Sequence, residues 1–273
     1  MTLRENPIGV FDSGIGGLTV VSQIIKMLPH ENIVYFGDTA RVPYGNKSAE
    51  VVKGYAVQDT RFLVSKDVKL IVVACNTASA LAMDVVRVHS KVPAIGVIEP
   101  TVKEAASLVG DRGIGVIGTL STINSCAYST ALNRLDKGVK IMTKACPLFV
   151  PLAEEGLFDH PVADLMSREY LSEFSGRIDV MILGCTHYPL LSGPISRALG
   201  SGIKLLDSGE ATARAVKELL SQSGMLNDQK SKPRYEFYVS DFPQKFNEIA
   251  ESFLGQRLEF VRKVDVLAEL DIK

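Results

Sequence analysis

Residues 70–77 read LIVVACNT, and the segment is matched 110 positions later by VMILGCTH at residues 180–187. Each copy is an apolar run of strand length that ends at a small residue, a cysteine and a hydroxyl or amide side chain. A second matched pair lies upstream, where IGVFDS at residues 8–13 and IGVIGT at residues 114–119 are offset by 106 positions. Because the two offsets nearly agree, the pattern indicates an internal duplication of an α/β unit.

The paired cysteines predict a type of reaction. Two copies of one unit that face each other about a pseudo-twofold axis would place Cys75 and Cys185 on opposite sides of a shared cleft. Inverting a carbon stereocentre by deprotonation needs a base on one face and an acid on the other, since a single base tends to return the proton to the side it left. A thiol, with an ordinary pKa of about 8.5, can be held as thiol or thiolate by a nearby carboxylate, imidazole or helix N-terminus. We therefore expect the acid and base roles to alternate between the two thiols.

The composition is that of an ordinary globular enzyme. The 273 residues are 46% hydrophobic and 22% charged, and the length is sufficient for two domains. The formal net charge of -1 provides no electrostatic footprint for nucleic acid or an anionic membrane. The first residues lack an apolar signal core, and no segment reaches the roughly 18 apolar residues of a membrane span. We expect a cytoplasmic protein with reduced cysteines that binds neither nucleic acid nor membranes.

Apolar runs of strand length alternate with amphipathic stretches almost to the end of the chain. This alternation is typical of parallel sheets covered by helices on both faces. The predicted fold is therefore α/β, with two pseudo-symmetric domains, each a mostly parallel sheet flanked by helices, and an active site in the cleft between them. The predicted strands lie near residues 8–11, 32–36, 69–74, 93–97, 113–117, 138–143, 179–183, 202–206, 235–240 and 258–261, and the predicted helices include residues 48–66, 161–175, 208–222 and 243–254.

Polar residues follow several of these predicted strands. In folds of this kind the chemistry gathers beyond the carboxyl ends of the strands, so these side chains are expected to share one rim. Backbone N–H groups at the helix starts after each cysteine can bind a carboxylate, and neighbouring side chains add donors. The residues placed on this rim or at these helix starts are Asp12, Ser13, Asp38, Thr39, Cys75, Asn76, Thr77, Thr119, Cys185, Thr186 and His187.

The glycine-rich segment DSGIGG at residues 12–17 resembles a phosphate loop only superficially. The dinucleotide fingerprint requires glycine where Thr19 stands, and a Walker loop requires Gly-Lys-Ser/Thr, so neither motif is matched. We interpret the glycines as permitting a tight strand-to-helix turn that holds Asp12 and Ser13 at the rim.

Two other features have open interpretations. Asp38 either serves the site or caps the turn that follows it. The segment RVPYG at residues 41–45 has neither helical nor strand periodicity, and it predicts a loop in which Tyr44 and backbone N–H groups seat a polar ligand.

Cys126 and Cys146 belong to no matched pair and are expected to serve only in packing.

Four motifs together resemble the glutamate racemase family, the cofactor-independent isomerases that interconvert L- and D-glutamate for bacterial peptidoglycan synthesis. The resemblance spans nearly the whole chain. Its motifs, in family order and spacing, are DSGIGG at 12–17, GDTARVPYG at 37–45, CNTASA at 75–80 and GCTHYP at 184–189. The wider superfamily, which includes aspartate racemases, also has the paired cysteines but typically has glutamate where His187 stands. The resemblance therefore favours the glutamate branch.

The resemblance also implies roles for individual residues. Cys75 would be the base for D-glutamate and Cys185 the base for L-glutamate. Asp12 would assist Cys75, while His187 and Glu154 would assist Cys185, with the adjacent Glu155 as the alternative to Glu154. The residues implied to hold the substrate's ammonium and carboxylates are Asp12, Ser13, Asp38, Pro43, Tyr44, Gly45, Asn76, Thr77, Thr119, Thr186 and His187.

The resemblance further implies an assembly and a domain arrangement. It implies a homodimer that needs no cofactor and no metal. The repeat offset predicts that a first unit ends near residue 98 and that a second spans about 99 to 207. In the family that the chain resembles, the C-terminal helices belong to the first domain. The predicted domains are therefore residues 1–98 with 208–273, and residues 99–207.

Three other functions are compatible with parts of this pattern. One is another amino-acid racemase of the superfamily, of the aspartate type, or a related decarboxylase. The second is a non-enzymatic two-domain protein that clamps an amino acid, although such a protein does not need paired thiols. The third is a thiol redox protein, whose two cysteines would have to lie close enough to form a disulfide.

Overall fold

The computed structural model describes residues 3–136, 138–254, 258 and 261–269. This part of the chain forms two sheets of six and four strands, in the orders β10-β9-β2-β1-β3-β4 and β6-β5-β7-β8. Their paired strands run parallel. The strands are β1 (Ile8–Asp12), β2 (Ile33–Gly37), β3 (Leu70–Val73), β4 (Ala94–Gly96), β5 (Ile114–Gly118), β6 (Ile141–Ala145), β7 (Val180–Gly184), β8 (Lys204–Asp207), β9 (Tyr235–Val239) and β10 (Val261–Lys263).

Helices cover the two sheets and connect their parallel strands, as parallel pairing requires. Short 3-10 helices occur at Leu3–Glu5, Tyr44–Asn46, Ser172–Phe174 and Tyr188–Leu191. The α-helices are α1 (Leu18–Met27), α2 (Ala49–Val64), α3 (Asn76–Leu81), α4 (Met83–His89), α5 (Ile98–Leu108), α6 (Leu120–Asn124), α7 (Ala127–Leu135), α8 (Phe149–Glu154), α9 (Pro161–Leu171), α10 (Ser192–Leu199), α11 (Ser208–Gln222), α12 (Pro243–Leu254) and α13 (Val266–Glu269).

The internal duplication is visible in the order of the strands. In the first sheet β1 pairs with β2 on one side and β3 on the other, and β4 follows β3. In the second sheet β5, β6, β7 and β8 repeat that arrangement. The register repeats as well, since Ile8 pairs with Leu70 in one sheet and Ile114 with Val180 in the other. The predicted α/β fold with two parallel sheets is confirmed, and β9 and β10 extend the first sheet only.

The central strands explain why these apolar runs form sheets at all. Every residue of β1, β3, β5 and β7 is buried. A strand whose two faces are both covered needs a continuous apolar run rather than an alternating one, and this is what the matched segments supply. The two units also share a core, because one apolar cluster includes Val10 and Val72 from the first sheet together with Val116 and Ile182 from the second.

The predicted strand positions are confirmed to within a few residues at their ends. Among the strands predicted wholly within the described residues, the largest shift is at β6, which was predicted at 138–143 and is found at Ile141–Ala145. The helical pattern at 161–175 forms α9 and then a 3-10 turn. The last predicted strand, 258–261, falls partly on residues 259–260, outside the described part of the chain, and the structure has β10 at Val261–Lys263. The predicted domain limits at 98–99 and 207–208 remain a prediction.

In the ranges that the structure describes, none of the helices combines the length and the apolar character needed to cross a bilayer.

A buried ion pair joins segments that are distant in sequence. Lys69 Nζ lies 2.5 Å from Glu31 Oε2, and both side chains are only 1% exposed. The same ammonium donates hydrogen bonds to the carbonyl oxygens of Arg4 at 2.5 Å and Met225 at 2.9 Å. Glu31 Oε1 accepts a hydrogen bond of 2.9 Å from the backbone N–H of Asn227. The pair therefore fastens the chain after α11 to the chain that leads into β2 and β3.

We expect Lys69→Met to destabilise the fold strongly, because Glu31 would keep its buried charge without its cation. Removing one partner of a buried pair costs about 3 to 5 kcal/mol, which urea unfolding would detect as a lower free energy of unfolding. The control is Lys53→Met, which removes a surface pair with Asp84 whose side chains are 38% and 61% exposed. That change is expected to cost at most about 1 kcal/mol. Equal losses for the two variants would contradict the stabilising role of the buried pair.

Candidate active site

A small cavity lies where the carboxyl ends of the central strands of both sheets meet. Its volume is about 20 Å³, little more than the roughly 10 to 15 Å³ that one water molecule needs by a comparable measure. The two units are therefore nearly closed around it. The lining residues are Ser13, Val42, Pro43, Tyr44, Gly45, Cys75, Asn76, Thr77, Thr119, Val150, Cys185, Thr186 and His187.

Cys75 reaches the cavity from the end of β3. It is the N-cap residue of α3, and its Sγ accepts a hydrogen bond of 3.5 Å from the N–H of Ala78. The thiol also donates to Ser13 Oγ at 3.6 Å. Burial, and then the neighbouring charge of Asp12, raise the pKa of the Cys75 thiol to about 12, against the smaller opposite effect of the Ala78 N–H and the Ser13 hydroxyl, both of which can donate to the thiolate. Cys75 is therefore a neutral thiol at neutral pH.

Asp12 stands behind the cavity at the end of β1. It is fully buried, and its Oδ2 accepts hydrogen bonds from the N–H groups of Gly14 at 3.2 Å and Gly17 at 3.0 Å. Thr186 Oγ1, from the second unit, donates to Asp12 Oδ1 at 3.5 Å. Burial raises the pKa of Asp12, although nearby His187 and the backbone N–H groups oppose the rise. The charge of this buried carboxyl group acts on the Cys75 thiol.

Cys185 has a different set of neighbours. His187 Nδ1 lies 3.9 Å from Cys185 Sγ, and His187 Nε2 lies 3.2 Å from Glu154 Oε1. Burial lowers the pKa of His187, but its contacts with Cys185 and Glu154 outweigh that effect and raise the pKa to about 10. At neutral pH the His187 ring is therefore a cation beside Cys185, whereas the group beside Cys75 is a carboxyl. The two halves of the site are alike in thiol position but differ in the ionisable group that accompanies each thiol.

Hydroxyl and amide groups line the wall between the two thiols. Three hydroxyls form a closed set across the two units, with Oγ1 atoms of Thr77 and Thr119 2.9 Å apart, those of Thr77 and Thr122 3.1 Å apart and those of Thr119 and Thr122 2.9 Å apart. Asn76 Oδ1 accepts a hydrogen bond from the Tyr128 hydroxyl. The buried Nδ2 of Asn76 has no acceptor among the residues that the structure describes. Leaving such a donor unpaired costs about 1 to 3 kcal/mol, so a carboxylate in the cavity would find a ready partner.

The glycine motifs permit close contact between the two units. A Cβ atom on Gly16 would overlap the side chains of Thr186 and His187, and one on Gly45 would overlap Thr119. Ser121 Oγ donates a hydrogen bond of 2.9 Å to the carbonyl oxygen of Lys47 and so ties α6 to the end of the same loop. A residue without a side chain is required at both positions, because another segment of the chain packs directly against the backbone there.

A larger cavity adjoins the first. It has a volume of about 400 Å³, shares Val42 with the smaller cavity and includes Glu154, Phe242 and Phe246 in its lining. Its lining is predominantly apolar, so it offers few donors for an amino acid, and the candidate chemistry belongs to the smaller cavity.

The structure brings most of the site residues predicted from the sequence to the smaller cavity. Asp12 and Glu154 are not among the lining residues, although Glu154 contacts the lining residue His187, and Glu155 is exposed. Asp38 does not line the cavity either, because its carboxylate pairs with Arg41 and accepts hydrogen bonds from Tyr44 and Ser240. The predicted site residues that do line the smaller cavity are Ser13, Pro43, Tyr44, Gly45, Cys75, Asn76, Thr77, Thr119, Cys185, Thr186 and His187.

Sequence reasoning missed two lining residues and misjudged one cysteine. Val42 stands within the recognised loop motif, but Val150 sits in α8 with no polar or repeat signal to mark it. Cys146 is buried, as its expected packing role requires. Cys126 is exposed, so the packing interpretation is wrong for it, because it occupies a left-handed turn at the surface before α7.

Known proteins resemble this chain over most of its length. A family model described as Asp/Glu/Hydantoin racemase matches residues 8–216. A glutamate racemase of Geobacter metallireducens is 49% identical over 263 residues, which cover 96% of this chain and 97% of that protein. The crystal structure of the Francisella tularensis glutamate racemase in complex with D-glutamate has a TM-score of 0.91 at 40% identity, covering 97% of this chain and 99% of that one. The aspartate racemase of Picrophilus torridus shares the fold at 19% identity, with a TM-score of 0.57, over 80% of this chain and 94% of that one.

We expect Glu154→Gln to lower the pKa of His187 from its value of about 10, because one of the two contacts that stabilise the imidazolium loses its charge. A pH titration followed by NMR of ring-labelled histidine would measure the shift, with the resonance assigned from its loss in His187→Asn. Glu155→Gln is the matched control, since it removes the same charge from the next residue in the chain, which is exposed. Equal shifts in the two variants would show that Glu154 has no specific effect on the ring.

Proposed function

The chain belongs to the Asp/Glu/Hydantoin racemase family, and from the glutamate racemases that resemble it over nearly its whole length we propose that it interconverts L-glutamate and D-glutamate. One observation carries the proposal. Cys75 and Cys185 follow equivalent strands of two sheets with the same strand order, and both line one cavity. The reaction proceeds by two bases, one thiol on each face of the substrate's α-carbon.

The proton balance of the reaction is symmetric. In the L-to-D direction the Cys185 thiolate takes the α-proton of L-glutamate, and the Cys75 thiol donates its proton to the opposite face of the carbanion. D-glutamate leaves behind a Cys75 thiolate and a Cys185 thiol, which is the arrangement required for the reverse reaction. Asp12 exchanges a proton with Cys75, and His187, held by Glu154, does so with Cys185. These groups assist the thiols, and the thiols perform the transfer.

The wall of the cavity stabilises the charge that develops. A carbanion next to a carboxylate carries negative charge, and donors fixed in a site from which water is excluded stabilise it more than water would. Asn76, Thr77, Thr119 and Thr186 supply such donors, together with the backbone N–H groups at the starts of the short helices after the cysteines. Ser13 and the loop containing Pro43, Tyr44 and Gly45 complete the substrate enclosure, and Asp38 acts through Tyr44.

This mechanism uses only groups of the polypeptide, and the proposed enzyme is independent of cofactors and metals. D-glutamate is a building block of peptidoglycan, so the proposed cellular role is in cell-wall synthesis and the maintenance of cell shape. That role requires access to the cytoplasmic glutamate pool, and we place the enzyme in the cytoplasm. A homodimer remains a prediction.

Each of Cys75→Ala and Cys185→Ala should abolish racemisation, because inversion needs an acid and a base on opposite faces. Loss of a positioned acid or base costs about 10²- to 10⁴-fold in rate, which an assay of optical rotation with L-glutamate would detect. Cys126→Ala is the control and should keep the wild-type rate, since that thiol is exposed and outside the cavity. Substantial racemisation by either single variant would contradict the two-thiol mechanism.

The two variants should also differ in isotope exchange. In deuterium oxide, any exchange by Cys185→Ala, which keeps Cys75, should place deuterium preferentially in D-glutamate, and Cys75→Ala should favour L-glutamate. Chiral separation followed by mass spectrometry would measure this preference. A reversed preference would mean that the faces assigned to the two thiols are exchanged.

Glutamate should turn over at least tenfold faster than aspartate at equal low concentration. Aspartate is one methylene shorter, so one of its carboxylates would leave buried donors unpaired, at a cost of about 1 to 3 kcal/mol each. The ratio of kcat/KM for the two L-amino acids measures this selectivity. Comparable values would place the chain among the aspartate-type racemases.

A further inference from the structure

Asp59 is a fully buried carboxyl group for which the proposed mechanism has no use. It lies on α2, and its Oδ2 is 3.0 Å from the hydroxyl oxygen of Tyr44. The same hydroxyl makes a shorter hydrogen bond with Oδ2 of Asp38, which is also fully buried. Tyr44 is therefore held between two carboxyl groups, one from α2 and one from the segment after β2.

The single hydrogen of the Tyr44 hydroxyl determines the protonation state of Asp59. A tyrosine hydroxyl has one hydrogen, and here Tyr44 donates it to Asp38. The contact between Asp59 and the Tyr44 oxygen is then a hydrogen bond only when Asp59 is protonated and donates. The order of donation runs from the Asp59 carboxyl to the Tyr44 hydroxyl and on to the Asp38 carboxylate.

The charges around this group fit the same assignment. Arg41 Nε lies 2.6 Å from Asp38 Oδ2, and Arg41 Nη2 lies 3.2 Å from Asp59 Oδ1. Ser240 Oγ also donates to Asp38 Oδ1, at 2.9 Å. One guanidinium balances one carboxylate, so a second buried negative charge would be uncompensated. Burial first, and the neighbouring Asp38 next, raise the pKa of Asp59 well above its usual value.

The network ends at the wall of the candidate active site. Tyr44, Pro43 and Gly45 line the cavity, and the loop reaches the second unit where Gly45 packs on Thr119. On the side of the first unit, Asp59 and Asp38 fix the position of the Tyr44 ring. A displacement of that ring would move the backbone of the loop that faces the substrate.

We propose that Asp59, in its protonated form, is a positioning residue that holds the Tyr44 loop in the geometry needed to bind the amino-acid substrate. The proposal rests on the racemase function proposed above. Asp59 touches neither the substrate nor the reacting thiols. Its effect is exerted through the Tyr44 hydroxyl, and it therefore concerns binding rather than proton transfer.

Two substitutions of Asp59 separate this role from alternatives. Asparagine has the same shape as a protonated aspartic acid, and its Nδ2 can donate to Tyr44 while its Oδ1 accepts from Arg41. Leucine has a similar volume but can do neither. If Asp59 is protonated, Asp59→Asn should keep KM for L-glutamate within about twofold, whereas Asp59→Leu should raise KM roughly tenfold, the cost of one lost hydrogen bond.

The split between KM and kcat identifies a positioning role. A substitution that weakens binding of the substrate and of the transition state equally raises KM and leaves kcat nearly unchanged. We expect that pattern for Asp59→Leu. Asp84→Leu on α4 is the matched control, because that aspartate is 61% exposed, and it should leave KM unchanged. Wild-type KM in a folded Asp59→Leu variant would overturn the proposal. An Asp59→Asn variant as impaired as Asp59→Leu would overturn the protonated form.

A spectroscopic measurement keeps the proposal testable even where Asp59→Leu does not fold. The infrared difference spectrum between the wild type and Asp59→Asn at neutral pH should contain the carbonyl stretch of a protonated carboxyl group. A difference band of an ionised carboxylate instead would overturn the assignment. A wild-type protein that does not racemise glutamate would refute the proposed function, and the infrared result would still report the state of Asp59 by itself.

Discussion

Withdrawal of ionisable groups from water is the constraint on which this structure depends. Asp12, Asp38, Asp59 and His187 are all buried where the two units meet or directly behind that junction. A buried charge without a partner is too costly to persist, so each of these groups either has a compensating neighbour or is held neutral. The pairing of His187 with Glu154 and of Asp38 with Arg41 follows from this requirement. The same requirement leaves the Cys75 thiol protonated and the His187 ring charged, which gives each thiol a different chemical environment.

The duplication made the fold and the centre of the site predictable from sequence. A strand buried on both faces must be a continuous apolar run, and the ends of parallel strands must lie on one edge of a sheet. The two matched segments therefore predict that Cys75 and Cys185 lie at equivalent edges of the two sheets. The role of the glycines was only partly predictable, because the sequence indicated a tight turn at residues 12–17, whereas at Gly16 and Gly45 side chains of the second unit leave no room for a Cβ atom.

Other features depend on contacts that leave no local trace in the sequence. Val150 lines the cavity because of how α8 packs, and a valine in a short helix looks the same whether it faces a site or a core. Asp59 lies within the pattern of an ordinary amphipathic helix, and its burial beside Tyr44 and Arg41 leaves no signal in the local sequence. Asp38 was predicted to bind the substrate, with a turn cap as the alternative, and the sequence could not decide between them because the carboxylate's partners include Ser240, 202 positions away. The surface position of Cys126 followed from a backbone turn that its neighbours in sequence do not signal.

The repeated strand order also bears on how the two halves can differ. Two identical chains related by a twofold axis must surround equivalent atoms with identical neighbours. Such a dimer could bring two thiols to one cleft, but it could not give one of them a carboxyl companion and the other an imidazolium. Joining the halves in a single polypeptide removes that restriction, because each half then varies by its own mutations. Covalent linkage of the repeats is thus what allows one side of the cleft to be tuned without altering the other.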